Sequence, residues 1–339
     1  METTSQGDLI IRAFRDGDDR AVLDMLRQVY RLRHGIDLVG RDLALWRWQH
    51  LQNPAGTELR LATTPAGRVV SLYAAVPRVA DTDLGERRFL HVLHTLTRPD
   101  VPAGAERDRL LAMLAHAFES DCARDHAIGY GMPPTAAAPS CRSLFGYRAL
   151  RDVEFWLRPT SAALPKVAAD VLVRHVDAFP QAVDTLWRDA LPVHRCSVRK
   201  DHRYLQWRYD RHPARADYAR ITAWRGERLT GALVLQTRDD LVPETCTVAE
   251  LLCSDEDDDT ALTLLREASR LAARRGRALL AVFADHDPNA ARMAVAGAHR
   301  AASGNWAERT LNLRILAGGI TPDVLATHWR YSLGDTDLC

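Results

Sequence analysis

The amino-acid sequence predicts an α/β protein made of two tandem units, each a mixed, mostly antiparallel sheet flanked by helices. Three observations indicate this fold class. Similar segments occur twice in the same order, about 160 residues apart early in the repeat and about 150 late. Within each copy, strand-like and helix-like stretches alternate, which is typical of α/β layer structures. The 339 residues also suffice for two domains of about 150 residues each.

The repeat is clearest at two aromatic segments. The first reads LALWRWQHLQNPAG around Trp46 and Trp48, and the second reads RYLQWRYDRHPARA around Trp207 and Tyr209. Each leads into a strand, a glycine turn and a second strand, and later into a long helix with apolar residues three and four positions apart. We interpret the aromatic side chains first as anchors that pack helices against the sheet. A second interpretation makes Trp46 and Trp48 a wall of a small-molecule pocket.

The order of elements predicts the domain organisation. LIIRAF and DDRAVLDMLRQVYRLR open the first unit as strand and helix, and VLVRHV and FPQAVDTLWRDAL repeat that opening. We therefore expect one domain at 1–157, an Ala- and Pro-rich linker at 158–170 and a second domain at 171–320. The segment 321–339 should pack back on the domains, because it alternates Trp329, Tyr331 and Leu333 as a strand would, and disordered tails are poor in aromatic residues.

Composition excludes several classes of protein. The net charge of +1 argues against a dedicated nucleic-acid binder. No apolar run reaches the roughly 18 residues that a membrane span needs, and METTSQGDLI does not have the pattern of a signal peptide. The six cysteines are scattered, so we expect reduced thiols, a cytoplasmic location and no metal site. We expect a small molecule as partner, and a monomer or homodimer.

A loop before the long helix of the first unit is predicted to hold an anion. It reads RPDVPAGAERDRLL, and helix N-termini carry partial positive charge and spare N–H donors. Pro102 removes one donor and Glu106 would repel an anion. The alternative is a helix start capped by water. The residues predicted to keep the backbone accessible or to attract the anion are Ala103, Gly104, Ala105, Arg107 and Arg109.

The second copy of this loop reads CSDEDDDTALTLL. Ser254 or Asp255 can cap its helix, and the acidic side chains stand where an anion would bind. Each nearby carboxylate would cost a bound phosphate roughly 1 kcal/mol or more at an effective dielectric constant near 20. We therefore expect the second unit to shape the site without binding the anion.

The sequence resembles the GNAT (GCN5-related N-acetyltransferase) superfamily over nearly its whole length. The segment HVLHTLTRPDVPAGAERDRLLAMLAHAF is similar to the family's central strand, acyl-CoA pyrophosphate loop and following helix, and FGYRAL to the step before its last strand. VRKDHRYLQWRYDRHP and HWRYSLGDTDLC resemble a bacterial branch with two tandem GNAT units. The pyrophosphate loop departs from the family pattern at Pro102 and Glu106.

The resemblance implies an acyl-CoA-dependent acyltransferase, most simply an N-acetyltransferase that moves an acetyl group from acetyl-CoA to an amine of a small molecule or sugar. A catalytically inactive tandem scaffold and transfer from a donor other than CoA remain alternatives. The implied pantetheine contacts are the backbone groups of Leu93, Thr95, Leu96 and Thr97.

The resemblance also calls for a general base and a general acid. His91 and His94 are the nearest bases, and because they are three apart on a strand they should face opposite sides. We favour His94. The tyrosine that often serves this family as general acid would lie four residues before Gly146, where this chain has Arg142. Tyr130 and Asp335, or Asp337 in its place, are expected near the acceptor.

Overall fold

The computed structural model describes residues 9–338 except 36, 39, 103, 134–137, 167, 192–194, 239–240 and 302–307. Two large sheets are flanked by helices. The strands are β1 (Ile10–Ala13), β2 (Glu58–Thr63), β3 (Val69–Thr82), β4 (Gly85–Thr97), β5 (Ile128–Gly131), β6 (Arg148–Asp152), β7 (Phe155–Arg158), β8 (Leu172–His175), β9 (Cys196–Val198), β10 (Tyr218–Arg225), β11 (Arg228–Gln236), β12 (Thr245–Cys253), β13 (Ala278–Val282), β14 (His299–Arg300) and β15 (Thr310–Ile315).

The helices follow the alternation that the sequence predicts. They are α1 (Asp19–His34), α2 (Gly40–Leu51), α3 (Ala105–Cys122), α4 (Ala138–Phe145), α5 (Val183–Ala190), α6 (His202–Leu205), α7 (Asp258–Ala273), α8 (Pro288–Val295) and α9 (Pro322–His328). Among the described residues, no helix combines the length and the apolar character that crossing a bilayer would require.

The two sheets share one strand order. The first runs β1-β2-β3-β4-β5-β15-β6, with β9 paired to β3, and the second runs β8-β10-β11-β12-β13-β7-β14. Neighbouring strands are antiparallel except β4 with β5 and β12 with β13, which occupy the same place in their sheets. The predicted fold class, two similar mixed and mostly antiparallel units, is confirmed.

The units exchange one strand each. β7 follows the first unit in the chain but pairs with β13 and β14 of the second sheet. β15 follows the second unit but pairs with β5 and β6 of the first sheet. The predicted boundaries at 157 and 320 therefore do not separate the sheets, because a short apolar strand carries no local signal of which sheet it joins.

A reciprocal pair of tryptophans joins the units. The Trp48 indole N–H donates to the Trp207 carbonyl at 2.8 Å, and the Trp207 indole N–H donates to the Trp48 carbonyl at 3.2 Å. The two rings stack with centroids 4.9 Å apart. This symmetry makes Trp48 and Trp207 the equivalent residues, 159 positions apart. Matching the two segments by their Trp-Arg pairs, which sets Trp46 against Trp207, is therefore out of register by two. Trp46 packs instead among the apolar residues of α1 and β2.

The segment after α9 crosses the contact between the units. Trp329 is fully buried and packs edge-on against Phe89 and Tyr130. The strand expected around Trp329, Tyr331 and Leu333 does not form; the described residues there make one isolated bridge, between Arg330 and Ser197, and a short 3₁₀ turn. Burial of these aromatic rings explains their presence without strand pairing.

We expect the losses in free energy of unfolding caused by Trp48→Phe and Trp207→Phe to be non-additive in the double variant. Each substitution removes one hydrogen bond, worth about 1 kcal/mol, and loosens the same stacked pair. Residues in contact couple by roughly 0.5–3 kcal/mol. Denaturant unfolding of the two single variants and the double variant measures the coupling.

Trp156→Phe, in a separate core cluster, is the control and should combine additively with Trp48→Phe. Additive effects for Trp48 and Trp207 would contradict the reciprocal contact.

Candidate active site

The central strand of the first sheet leaves its neighbour partway along its length. In the described part of the sheet β4 pairs with β5 at Phe89, Leu90 and His91, yet β4 continues to Thr97. On its other side β4 stays paired with β3 up to Thr97. The edge of β4 beyond His91 therefore faces a gap between two parallel strands.

A bulge sits in this part of β4. His94 has φ = +53°, in the left-handed region that non-glycine residues rarely adopt. The register with β3 shifts at Tyr73, so that His94 and Thr95 together lie opposite one residue. The extra residue reverses the alternation of side chains after it.

The gap holds a cavity of about 280 Å³. It is bounded by β4, β5, the end of α4 and the C-terminal segment. Its polar lining consists of Tyr73, His91, His94, Thr95, Tyr130, Cys141, Tyr147, Arg309, Asn312 and Asp337.

Both histidines of β4 lie near His50 of α2 and the Asp337 carboxylate, so the expectation that they face opposite sides is wrong. That expectation assumed regular alternation along the strand, which the bulge at His94 breaks. His91 is fully buried, with Nε2 3.6 Å from Oδ1 of Asp337. Burial lowers the pKa of His91 to about 4, although the Asp337 carboxylate acts in the opposite direction.

His94 is held by a second histidine. Its Nδ1 lies 3.0 Å from Nε2 of His50, a buried residue of α2. The His50 ring in turn lies 5.1 Å from that of Trp46. Burial lowers the pKa of both His94 and His50, so both rings are neutral near pH 7. His50 could not be predicted from the sequence, because no spacing in the chain connects it to β4.

Two tyrosines share the cavity wall. The hydroxyls of Tyr73 and Tyr147 lie 3.3 Å apart, and burial raises the pKa of both, so both remain protonated. A Cβ at Gly129 would lie 2.6 Å from the Tyr147 hydroxyl oxygen, so only glycine leaves room for it there. Arg142, where the family's tyrosine was expected, is exposed. Tyr147 lies in the FGYRAL segment, one residue after Gly146, but it is not among the site residues predicted from the sequence.

The residues predicted to contact pantetheine separate into two groups. Leu93 and Thr95 line the cavity. Leu96 packs against the core around α1 and β2, and the Thr97 hydroxyl lies 2.9 Å from that of Ser71.

The predicted anion loop precedes α3. Gly104 has φ = +109°, a conformation that favours glycine, and within the described residues no side chain caps the helix. Arg109 is exposed, whereas Arg107 folds back and donates to the Val101 carbonyl at 2.6 Å. Ala105 is the first residue of α3, and Ala103 lies outside the described residues.

Of the residues predicted near the acceptor, Tyr130 lines the cavity. It is fully buried, and its hydroxyl donates to the Asp335 carbonyl at 2.7 Å. Asp335 itself is not part of the lining: its carboxylate is buried against Lys200 in the second unit. Trp46 and Trp48 do not reach the cavity either, because both are packed in cores. Asp337, two residues further along, is the carboxylate that the C-terminal segment supplies.

The corresponding gap of the second sheet is filled. β12 pairs with β13 only from Thr245 to Thr247 in the described sheet, and the C-terminal segment lies in the gap beyond. Buried Lys200 contacts both Asp335 and Glu250, the latter at 2.9 Å. A volume of about 70 Å³ remains.

The loop before α7 is also occupied by protein groups. Asp257 caps the helix through the Thr260 N–H at 3.1 Å. Arg330 makes two hydrogen bonds to the Asp255 carboxylate, and Arg292 donates to the carbonyls of Ser254 and Asp255. The donors and charges that an anion would need are already paired here, in contrast to the start of α3.

The sequence matches no family model and none of the curated proteins. Solved structures do match. An Enterococcus faecalis protein of unknown function, described as a probable N-acyltransferase, is 12% identical with a TM-score of 0.66 over 94% of this chain and 74% of that one. A GCN5-related N-acetyltransferase from Anabaena variabilis is 11% identical, with a TM-score of 0.60 over 91% and 73% of the two chains.

A tandem GNAT protein from the clavulanic acid biosynthesis pathway matches over its whole length. It is 14% identical, with a TM-score of 0.55 over 92% of this chain and 100% of that one. These neighbours and the repeated strand order confirm the resemblance at the level of architecture. The protein thus has the fold of the GCN5-related N-acetyltransferase (GNAT) superfamily, present twice in tandem in one chain.

Proposed function

We propose that the first unit is an acyl-CoA-dependent N-acyltransferase that moves an acyl group, most simply acetyl, from CoA to an amine of a small molecule. The observation that carries this proposal is the cavity at the split between β4 and β5. It brings a neutral histidine, His94, and a protonated tyrosine, Tyr147, to one space beside an unpaired strand edge. These are the groups that acyl transfer from a thioester to an amine requires.

The CoA donor would lie at the end of β4. Its pyrophosphate would bind the first-turn N–H groups of α3, where Gly104 keeps the backbone open and Arg109 adds positive charge. The pantetheine arm would follow the unpaired edge of β4 into the cavity. A backbone N–H on that edge would hydrogen-bond the thioester carbonyl oxygen as it becomes negative.

His94 would act as the general base. Because its Nδ1 contacts His50, the other ring nitrogen, Nε2, is left to accept the amine proton. That role requires Nδ1–H of His94 to donate to Nε2 of His50, which makes His50 a positioning residue. Asp337, exposed beside the two histidines, would attract a cationic amine and favour the protonated form of His94.

Tyr147 would act as the general acid. The amine nitrogen attacks the thioester carbon, the tetrahedral intermediate collapses, and the C–S bond breaks. The departing thiolate takes the Tyr147 hydroxyl proton while Tyr73 hydrogen-bonds the phenol oxygen. The products are an amide and CoA. The amine proton passes from His94 to solvent, and solvent returns a proton to the Tyr147 phenolate oxygen.

A catalytically inactive scaffold is the second candidate. It is favoured by the Arg107 side chain, which bonds to its own loop, and by Pro102, which lacks an N–H. An inactive scaffold would not turn over acetyl-CoA. An enzyme that uses another donor would neither bind nor turn over acetyl-CoA.

We expect acetyl-CoA to bind the full chain, and Arg109→Glu and Arg107→Glu each to weaken binding at least about tenfold, or about 1.4 kcal/mol. The reason is reversal of charge beside the pyrophosphate. Isothermal titration calorimetry measures the affinity.

Asp259→Asn, at the start of α7, is the matched control and should leave the affinity unchanged. Equal affinity in all variants, or a loss with Asp259→Asn, would place the donor elsewhere.

Tyr147→Phe should lower kcat by about 100-fold or more, the usual contribution of a general acid, with little change in acetyl-CoA affinity. Tyr331→Phe is the control, because Tyr331 lies in the filled second gap. Steady-state kinetics with a panel of amines measures both. An unaltered kcat in Tyr147→Phe would remove this residue from the mechanism.

The pH dependence of kcat should reflect the depressed pKa of His94. Burial favours the neutral ring, so activity should persist as the pH falls through about 6.5, the ordinary pKa of histidine, and be lost only below it. His50, His91 and Asp337 lie near the same ring, and the negative charge of Asp337 raises the pKa of His94. Asp337→Asn should therefore move the acid limb to still lower pH.

Asp323→Asn, an exposed carboxylate of α9, should leave the profile in place. An acid limb above pH 6.5, or an upward shift in Asp337→Asn, would contradict the assignment of His94.

A further inference from the structure

We propose that Glu58, Cys122 and His126 form a metal-ion site for Zn²⁺ or an ion of similar chemistry, outside the cavity of the proposed acyl transfer. Cys122 ends α3, His126 follows four residues later, and Glu58 begins β2. The proposal does not depend on acyl transfer, and it replaces the expectation from the scattered cysteines that no metal site exists.

The three donor atoms already converge. Sγ of Cys122 lies 3.4 Å from Oε2 of Glu58, and Nε2 of His126 lies 3.9 Å from Oε1 of the same carboxylate. All three donor atoms are within 4.8 Å of one another. Zinc bonds of about 2.0–2.3 Å to such donors fit a triangle of this size with small side-chain adjustments.

The protonation state of His126 is suited to a ligand. Its Nδ1 lies 3.2 Å from the Cys122 carbonyl, and a carbonyl can only accept, so Nδ1 carries the proton. Nε2 therefore presents its lone pair. This nitrogen is buried and has no hydrogen-bond partner among the described residues. Metal-binding histidines characteristically donate their second N–H to a carbonyl or carboxylate in this way.

An imidazole nitrogen that already presents its lone pair needs no deprotonation before it binds a metal. An unpartnered buried nitrogen is otherwise unfavourable, and a metal ion would satisfy it.

The donor set selects the kind of ion. Thiolate and imidazole suit Zn²⁺ and related transition ions, whereas Mg²⁺ and Ca²⁺ prefer oxygen ligands. The Cys122 thiol would lose its proton to solvent on binding, because the thiolate is the form that binds a metal. One thiolate and one carboxylate then neutralise the divalent ion.

The positive charge of Arg60 disfavours a cation here, because its Nη1 lies 3.8 Å from Oε2 of Glu58. That charge is partly offset by Asp121, whose Oδ2 lies 2.8 Å from Nε of Arg60. An entry path exists on the Glu58 side. The Glu58 side chain is 22% exposed, and Glu58 lines a surface groove together with Asp16 and Asp19. Water from that groove would complete a four-coordinate site.

Cobalt titration of the full chain tests the site. The protein is treated with a chelator, transferred to metal-free buffer and titrated with Co²⁺. We expect one ion per chain, with near-ultraviolet absorption from thiolate-to-cobalt charge transfer that added Zn²⁺ abolishes. Cys122→Ser should lose this absorption. His126→Gln and Glu58→Gln should weaken binding by more than the roughly 10- to 100-fold typical of a second-shell change.

Cys141→Ser is the matched control, because Cys141 is a partly exposed thiol that could bind cobalt nonspecifically. It should keep the full signal. Absence of the absorption in the unmodified chain, its persistence in Cys122→Ser, or its loss in Cys141→Ser would overturn the proposal. Glu58→Gln keeps the test decisive if the cysteine variant does not fold, since Glu58 is the most exposed of the three; unchanged cobalt affinity in that variant would also overturn it.

Discussion

The left-handed backbone of His94 is the constraint on which the first cavity depends. Such a conformation costs on the order of 1–3 kcal/mol, and it persists here because β3 pairs with β4 on both sides of the bulge. The bulge admits an extra residue opposite Tyr73 and turns His94 toward the side of the strand that His91 also faces. The same part of β4 is no longer paired with β5, so a cavity with polar lining forms where a continuous sheet would leave no space.

One fold used twice gives two different clefts. In both sheets two parallel strands separate after a few pairs, but the second separation holds the chain's own C-terminal segment with buried Lys200, Glu250 and Asp335. That segment continues to the first cavity, where it presents Asp337. The exchanged strands β7 and β15 and the reciprocal contacts of Trp48 and Trp207 fix the two units together, so the filled unit can position groups for the open one.

Much of the fold follows from the sequence, because amphipathic periodicity and repeated order are local signals. The two units and the long helix α3 after the predicted loop are of this kind. The exchange of β7 and β15 is not, since strand pairing partners are set by tertiary packing. Of the residues singled out in the sequence, His94 and Tyr130 line the cavity. Tyr147 also lines it, and His50 contacts His94 from α2, and only the fold brings these two residues there. The expected separation of His91 from His94 failed because one bulged residue reverses every later side chain on a strand.

The central claim is that only the first unit holds the CoA donor. Hydrogen exchange of the full chain with and without acetyl-CoA tests it most directly, because backbone N–H groups are the proposed contacts. If only the first unit binds the donor, exchange should slow in peptides covering 92–108, from the part of β4 beyond β5 to the first turn of α3, and should not change across 248–260 at β12 and α7. Protection confined to 248–260, or none in either region at saturating acetyl-CoA, would contradict it.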